Sequence, residues 1–271
     1  MIRTRIRFVL TLVAALSCAP VALAQEDDAV LKPAEPDFTV VNLPTSLRLP
    51  LFGSAIRITH RFTRPIKCDE CPNSFLGDAL GSDAGAVIGL EYRIGLIPNG
   101  QVVLHRSRLD RTVQFLGEYG VTRQADGMPL EIAALVSIEG TQNFKGVKSP
   151  AVGVVLSHLF GEAFALHFDP IFVHNSNLTS DIGDDDTLVV GMGGRVRILP
   201  TVYIVAELAP RVSGYNPGKS MGSFALEKRA GGHLFQLTFT NYYATTLRQI
   251  AQGSPNNDNW YLGFNLSRKF F

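Results

Sequence analysis

Trp260-Tyr261-Leu262-Gly263-Phe264-Asn265-Leu266-Ser267-Arg268-Lys269-Phe270-Phe271 ends the chain. Apolar and polar side chains nearly alternate along it, which is the period of an extended strand with two unlike faces. It stops on an aromatic pair. A final strand of this composition is the kind that closes a transmembrane β-barrel, with aromatics at the membrane boundary.

The same period recurs upstream. Ile56, Ile58 and Phe62 alternate with Arg57, Thr59 and Arg61. Ile88, Leu90, Tyr92 and Ile94 alternate with Gly89, Glu91, Arg93 and Gly95. Similar runs fall near residues 113–122, 130–139, 188–198 and 235–240. Weaker ones fall near 101–108, 151–160, 164–173, 202–211 and 223–230. With the terminal strand these predict about twelve strands, an even number as single-chain bacterial barrels require.

The connections alternate in length. Ile97–Gly100, Gly161-Glu162, Leu199–Thr201 and Gly231-Gly232 are tight, and Arg123–Pro129 is somewhat longer. Thr63–Ala84, Gly140–Pro150, His174–Asp186, Val212–Gly222 and Tyr242–Asn259 are long, and only Leu109–Arg111 breaks the rhythm. Short periplasmic turns and long outer loops are the pattern of an outer-membrane barrel, and a secreted sandwich has no reason to sort its loops this way. The fold class is therefore all-β: an antiparallel, up-and-down transmembrane barrel.

Residues 1–24 read as a signal peptide: Arg3, Arg5 and Arg7, an apolar run from Phe8 to Leu16, and an A-x-A site at Ala22-Leu23-Ala24. A lipoprotein acceptor at Cys18 is the weaker reading, because Ala15 stands where such sites prefer leucine. Cleavage after Ala24 leaves 22 basic against 24 acidic residues, so there is no global positive field for nucleic acid. Residues 25–54, rich in proline and acids at their start, form a periplasmic lead-in or an internal plug. Residues 55–271 form the barrel. The expected location is the bacterial outer membrane.

The polar parity of the strands carries the candidate site. Arg57, Arg61, Glu91, Arg93, Glu118, Glu131, Arg195, Arg197 and Glu207 are expected to point inward and line a lumen. So many charges are costly in a dry core and tolerable in a hydrated channel. A narrow pore for small polar solutes follows, with a transverse field from opposed arginines and carboxylates. The alternative is a non-conducting scaffold or surface-interaction barrel, and a lipid hydrolase is the weakest reading. The expected partners are outer-membrane lipids, lipopolysaccharide and the barrel-assembly machinery, with Arg106 and Arg108 placed to meet lipopolysaccharide phosphates.

Three stretches resemble a known family. Asn42-Leu43-Pro44-Thr45-Ser46, His60-Arg61-Phe62, and Leu80-Gly81-Ser82-Asp83-Ala84 running into Ile88-Gly89-Leu90-Glu91-Tyr92 look like a domain-of-unknown-function family of membrane-bound β-barrels. The resemblance covers most of the chain after residue 40. It implies an outer-membrane barrel and brings no activity, substrate or catalytic residue with it.

No catalytic motif or cofactor site stands out. Cys68-Asp69-Glu70-Cys71-Pro72 lacks the histidine of a haem site and the extra ligands of a zinc site, so a loop disulfide between Cys68 and Cys71 is expected. His105 and Ser107 share a strand face without a nucleophile elbow and read as a lumenal polar pair. Asp181, Asp184, Asp185 and Asp186 crowd one outer loop with no EF-hand spacing. His60 and His158 fall on the lipid-facing parity. His167 and Asp169 fall on the lumenal one.

Overall fold

The computed structural model describes residues 34–178, 185–255 and 258–271. The proposed signal peptide, Asp181 and Asp184 lie outside the described residues. Thirteen strands form one antiparallel sheet: β1 (Ser54–Pro65), β2 (Ala86–Ile97), β3 (Gly100–Ser107), β4 (Thr112–Thr122), β5 (Glu131–Gly140), β6 (Lys148–Phe160), β7 (Phe164–Val173), β8 (Thr187–Leu199), β9 (Val202–Ala209), β10 (Arg211–Gly214), β11 (Met221–Ala230), β12 (His233–Thr240) and β13 (Tyr261–Phe270). Apart from β10, which pairs with β8 alone, each strand pairs with the next around the ring, β9 with β11, and β1 pairs with β13 from Ser54↔Phe270 onward, so the sheet closes on itself. β10 continues β9 past Pro210 and keeps the β8 partner, with Met192↔Leu208 leading on to Val189↔Arg211. The barrel is thus twelve-stranded with one short extra strand, and no edge is left unpaired where lipid would meet it.

The parity read from the sequence sets the two faces. On β5, Val136 is 60% exposed while its neighbour Leu135 is 1% exposed. Outward positions around the ring are apolar, among them Leu90, Val152, Phe168, Ile204, Phe224 and Leu237. The tight turns gather at one end. Asn99 and Gly231 take left-handed backbone there (φ 63° and 58°), which Asn and Gly adopt most readily. The long loops gather at the other end.

The inward face is mixed, and this corrects the expectation of a charged wall. The β13–β1–β2 arc is polar: Lys269, Ser267, Asn265, Arg57, Thr59, Arg61, Glu91 and Arg93 are all buried. The β5–β9 arc carries buried Leu135, Val155, Ile171, Val189, Tyr203 and Val205. These join Val40, Val41 and Leu43 from below and Leu247, Ile250 and Ala251 from above in one apolar cluster. The lumen is filled by the chain's own ends and loops.

Candidate functional site

Residues 34–50 run inside the barrel and supply its plug. Ala34, Glu35, Val40, Val41, Leu43, Thr45 and Ser46 are at most 1% exposed. The segment turns back on itself: Thr39 bridges to Pro44, the Val40 amide donates to the Leu43 carbonyl (2.8 Å), and the Thr45 amide donates to the Phe38 carbonyl (3.0 Å). The tip of this hairpin rests on Glu207 of β9. Its carboxylate accepts the amides of Val41 (2.9 Å), Asn42 (2.8 Å) and Leu43 (3.0 Å) in succession. Charged acceptors make the stronger class of hydrogen bond. The Asn42 side chain adds a donation to Glu207 (2.7 Å).

The polar arc holds the other edge of the hairpin. Arg57 and Asn265 both donate to the Val41 carbonyl, Asn265 at 3.1 Å. Gln236 donates to the Val40 carbonyl (2.6 Å) and Arg195 to that of Thr39 (3.0 Å). Arg61 reaches Asn42 Oδ1 (3.0 Å) and Asn265 Oδ1 (2.8 Å). Asp37 accepts from Ser267 (2.9 Å) and lies 3.6 Å from Lys269 Nζ. Burial opposes ionisation of Asp37, but Lys269, Arg57 and Arg195 outweigh it and hold the carboxyl below its ordinary 3.8.

Glycines on the inward parity make room for the plug. A Cβ on Gly193 would stand 2.9 Å from Val40 Cγ2, and one on Gly191 would stand 2.9 Å from the Leu43 methyls, beside Asp169. A Cβ on Gly120 would coincide with the Arg48 guanidinium, which crosses it to reach the carbonyls of Thr122 and Ile132. Gly95 would meet the Pro50 carbonyl at 2.3 Å. Only strands bare at these four positions leave space for the segment.

The outer end is stoppered separately. Residues 244–251 of the β12–β13 loop fold inward around a short helix, Leu247–Gln252, with a capping box between Thr246 and Gln249. Arg248, fully buried, pairs with Asp110 (2.8 Å), and its amide donates to Glu139.

Seven of the nine proposed lining residues are buried on the wall, and Glu207 is half-buried there. Arg57 pairs with Glu91 (3.6 Å), and Arg93 bridges Glu91 (3.2 Å) and Glu118 (3.4 Å). Arg195 donates to Glu227 (3.0 Å), both wholly buried. Glu131 accepts from Ser46 Oγ (3.1 Å), and Glu207 carries the hairpin tip. Arg197 differs: it lies at the tight-turn end, partly exposed, against Glu162 (3.2 Å). Gln101, Gln236 and Asn265 carry no charge and are not among the nine, yet they hold the plug. Their inward parity was the available signal.

The remaining candidates fall as follows. Cys68 and Cys71 form a disulfide in the first outer loop, with Cα atoms 5.5 Å apart. His105 and Ser107 face the lumen, but His105 Nε2 and Ser107 Oγ have no hydrogen-bond partner. His167 accepts or donates to Ser157 (2.9 Å) according to its tautomer, and Asp169 beside it is fully buried with both oxygens unpartnered. His60 stacks on Phe264 on the outer face, ring centroids 4.8 Å apart. Asp186 pairs with His174 at the surface (2.6 Å). Arg106 and Arg108 turn to the carbonyls of Thr112 and Ala86 (3.1 Å each) at the long-loop rim. Among the described residues no group of three or more His, Cys, Asp or Glu is arranged to hold a metal.

A family model described as a membrane bound beta barrel domain (DUF5777) matches residues 39–270. The chain belongs to that family. The match begins at the hairpin and runs to the closing strand, so this DUF5777 domain includes most of its own plug. No curated protein sequence matches the chain. Among solved structures, the barrel is similar to the NanC porin at 7% identity, with 81% of this chain and all of that one covered and a TM-score of 0.50. The KdgM porin, solved in complex with disordered oligogalacturonate, aligns at 8% identity over 80% of this chain and 99% of its own, TM-score 0.49. The Acinetobacter baumannii outer membrane protein Omp33 aligns at 11% identity over 81% and 98%, TM-score 0.48. At these identities the likeness concerns the fold alone.

Proposed function

We propose that this DUF5777 barrel is an outer-membrane pore for small polar solutes, held closed at rest by its N-terminal hairpin at one end and by the 244–251 stopper at the other. The observation that carries the reading is how the hairpin is held. Its grip on the polar arc and on Glu207 is made of hydrogen bonds that water can replace, and none of them belongs to the barrel ladder. The hairpin can therefore leave without a strand being lost. Departure would free Glu207 from three amides and Lys269 from Asp37. Lys269, Arg57 and Arg61 on β13 and β1 would then face Glu207 on β9 and Asp169 on β7 across the opened lumen. Opposed charges of this kind orient polar solutes and select among them.

Single-channel recording of the purified protein tests this, with the heat-induced gel shift reporting folding. Leu43→Asp puts a carboxylate into the apolar cluster that Leu43 now fills, where the cost of burying it expels it, and alters no strand residue. Brief openings from the native protein are expected, and sustained ones from Leu43→Asp combined with Arg248→Ala, which frees the 244–251 stopper. Folded barrels that pass no current in either form would sink the pore.

One observation favours a second reading, the non-conducting scaffold. The apolar cluster joins plug, wall and the 244–251 stopper into a single packed body. On that reading the long outer loops act, and Arg106 and Arg108 serve lipopolysaccharide contact.

A further inference from the structure

The lumen wall meets the hairpin mostly through its backbone. Glu207 takes three consecutive amides, at 2.9, 2.8 and 3.0 Å. Gln236, Asn265 and Arg57 take the carbonyls of Val40 and Val41, and Arg195 takes that of Thr39. Gln101 binds the chain as a neighbouring strand would: its Nε2 donates to the Leu47 carbonyl (2.9 Å), and its Oε1 accepts the Leu49 amide (3.1 Å). Six wall side chains, none of them apolar, thus satisfy main-chain groups from residue 39 to residue 49. Every residue of a peptide except proline repeats both groups, whatever its side chain. Strand-addition binding uses the same economy, with main-chain bonds for affinity and shallow pockets for preference. Here the pockets are the bare patches at Gly191 and Gly193, which receive Leu43 and Val40, three residues apart.

We propose that the polar solutes this barrel admits are oligopeptides, which bind the wall groups that the hairpin occupies at rest. The inference rests on the gated-pore reading. Peptide and hairpin compete for one set of partners. A bound peptide would thereby keep the hairpin out while occupying the lumen in its place, with a preference for two medium apolar side chains three positions apart.

The full-length Leu43→Asp protein, carrying Arg248→Ala to free the outer stopper, provides the test in a planar bilayer. Asp37→Asn, which takes from the hairpin its pairing with Lys269 and leaves the wall unchanged, replaces Leu43→Asp as a second open variant if the first fails to fold. The probes are three: a capped octapeptide with the sequence of residues 38–45, a capped octapeptide of alanine, and maltotetraose. Both peptides are expected to interrupt the current at concentrations where the sugar does not. Adding Glu207→Gln, which keeps one acceptor oxygen and removes the charge, should weaken the block about tenfold. Block by the native-sequence peptide alone would overturn recognition through the backbone. A steady current unaffected by either peptide would overturn the proposal and leave the pore standing. Absence of current from both open variants would remove the pore reading, and the proposal with it.

Discussion

Glu207→Ala isolates the anchor of the plug. Among the described residues every hydrogen bond to the Glu207 carboxylate comes from residues 41–43, so its removal leaves the barrel ladder and the other ion pairs intact. A hydrogen bond to a charged group contributes roughly 1.5–3 kcal/mol, and three amides share this one. Water entering the vacated volume offsets part of the loss and leaves about 3 kcal/mol in the docking of the hairpin. That raises the undocked fraction about 150-fold. Thr45 is wholly buried in the hairpin, so Thr45→Cys gives a thiol that reacts only when the segment leaves. Cys68 and Cys71 do not compete, being paired with each other. With fast redocking, the rate of modification by a membrane-impermeant maleimide follows the undocked fraction. It should rise by about two orders of magnitude in Glu207→Ala, with the heat-induced gel shift unchanged. A rise of less than about threefold would mean that the anchor contributes under 1 kcal/mol and that the hairpin is held by its apolar contacts instead.

Three further outcomes are expected. Gly193→Val should also raise labelling of Thr45→Cys, because its first added carbon meets Val40 at 2.9 Å, and Val40→Ala should reverse the effect. Acid should loosen the hairpin. Asp37 has a lowered folded-state pKa, so its contribution is present above the ordinary 3.8 and is lost as pH falls through the lower folded value. Channel openings of the Arg248→Ala protein should therefore become more frequent below that range, and adding Asp37→Asn should make them more frequent at neutral pH and blunt the response to acid, part of which remains because the Glu207 carboxylate also anchors the hairpin. Arg248→Ala leaves Glu139 and Asp110 facing each other near the outer stopper without their cation. A loss of about 2–4 kcal/mol there should expose residues 241–255 to protease added on the long-loop side, without altering Thr45→Cys labelling.

The barrel wall was legible because its information is local. A strand between lipid and lumen must alternate, and the parity of Arg57, Glu91 or Arg195 follows from counting by twos. Turn chemistry at Asn99 and Gly231 marked one end. The plug was not legible in the same way. Residues 34–50 form no regular element, and apart from Arg57 and Arg61 their wall partners lie 50 to over 200 positions away, as Leu49 with Gln101 and Val41 with Asn265. Two signals did point to a filled lumen. Gly95, Gly120, Gly191 and Gly193 all fall on the inward parity, where a hydrated channel has no need for absent side chains. Ala133-Ala134-Leu135-Val136 and Ile171-Phe172-Val173 are apolar on both faces, which a wall touching only water and lipid would not require.

The hairpin also constrains the order of assembly. It precedes β1 in the chain, yet it is gripped by β9, β12 and β13, and β1 finds its second neighbour only in the last strand made. Those contacts span most of the sequence, so they form late. An annulus of twelve strands that closed first would have to admit the segment afterwards through an end. A segment already lying against β8 and β9 would instead present Val41 and Asn42 to the incoming Asn265 and Arg61, and the seam would close around it as around a mandrel.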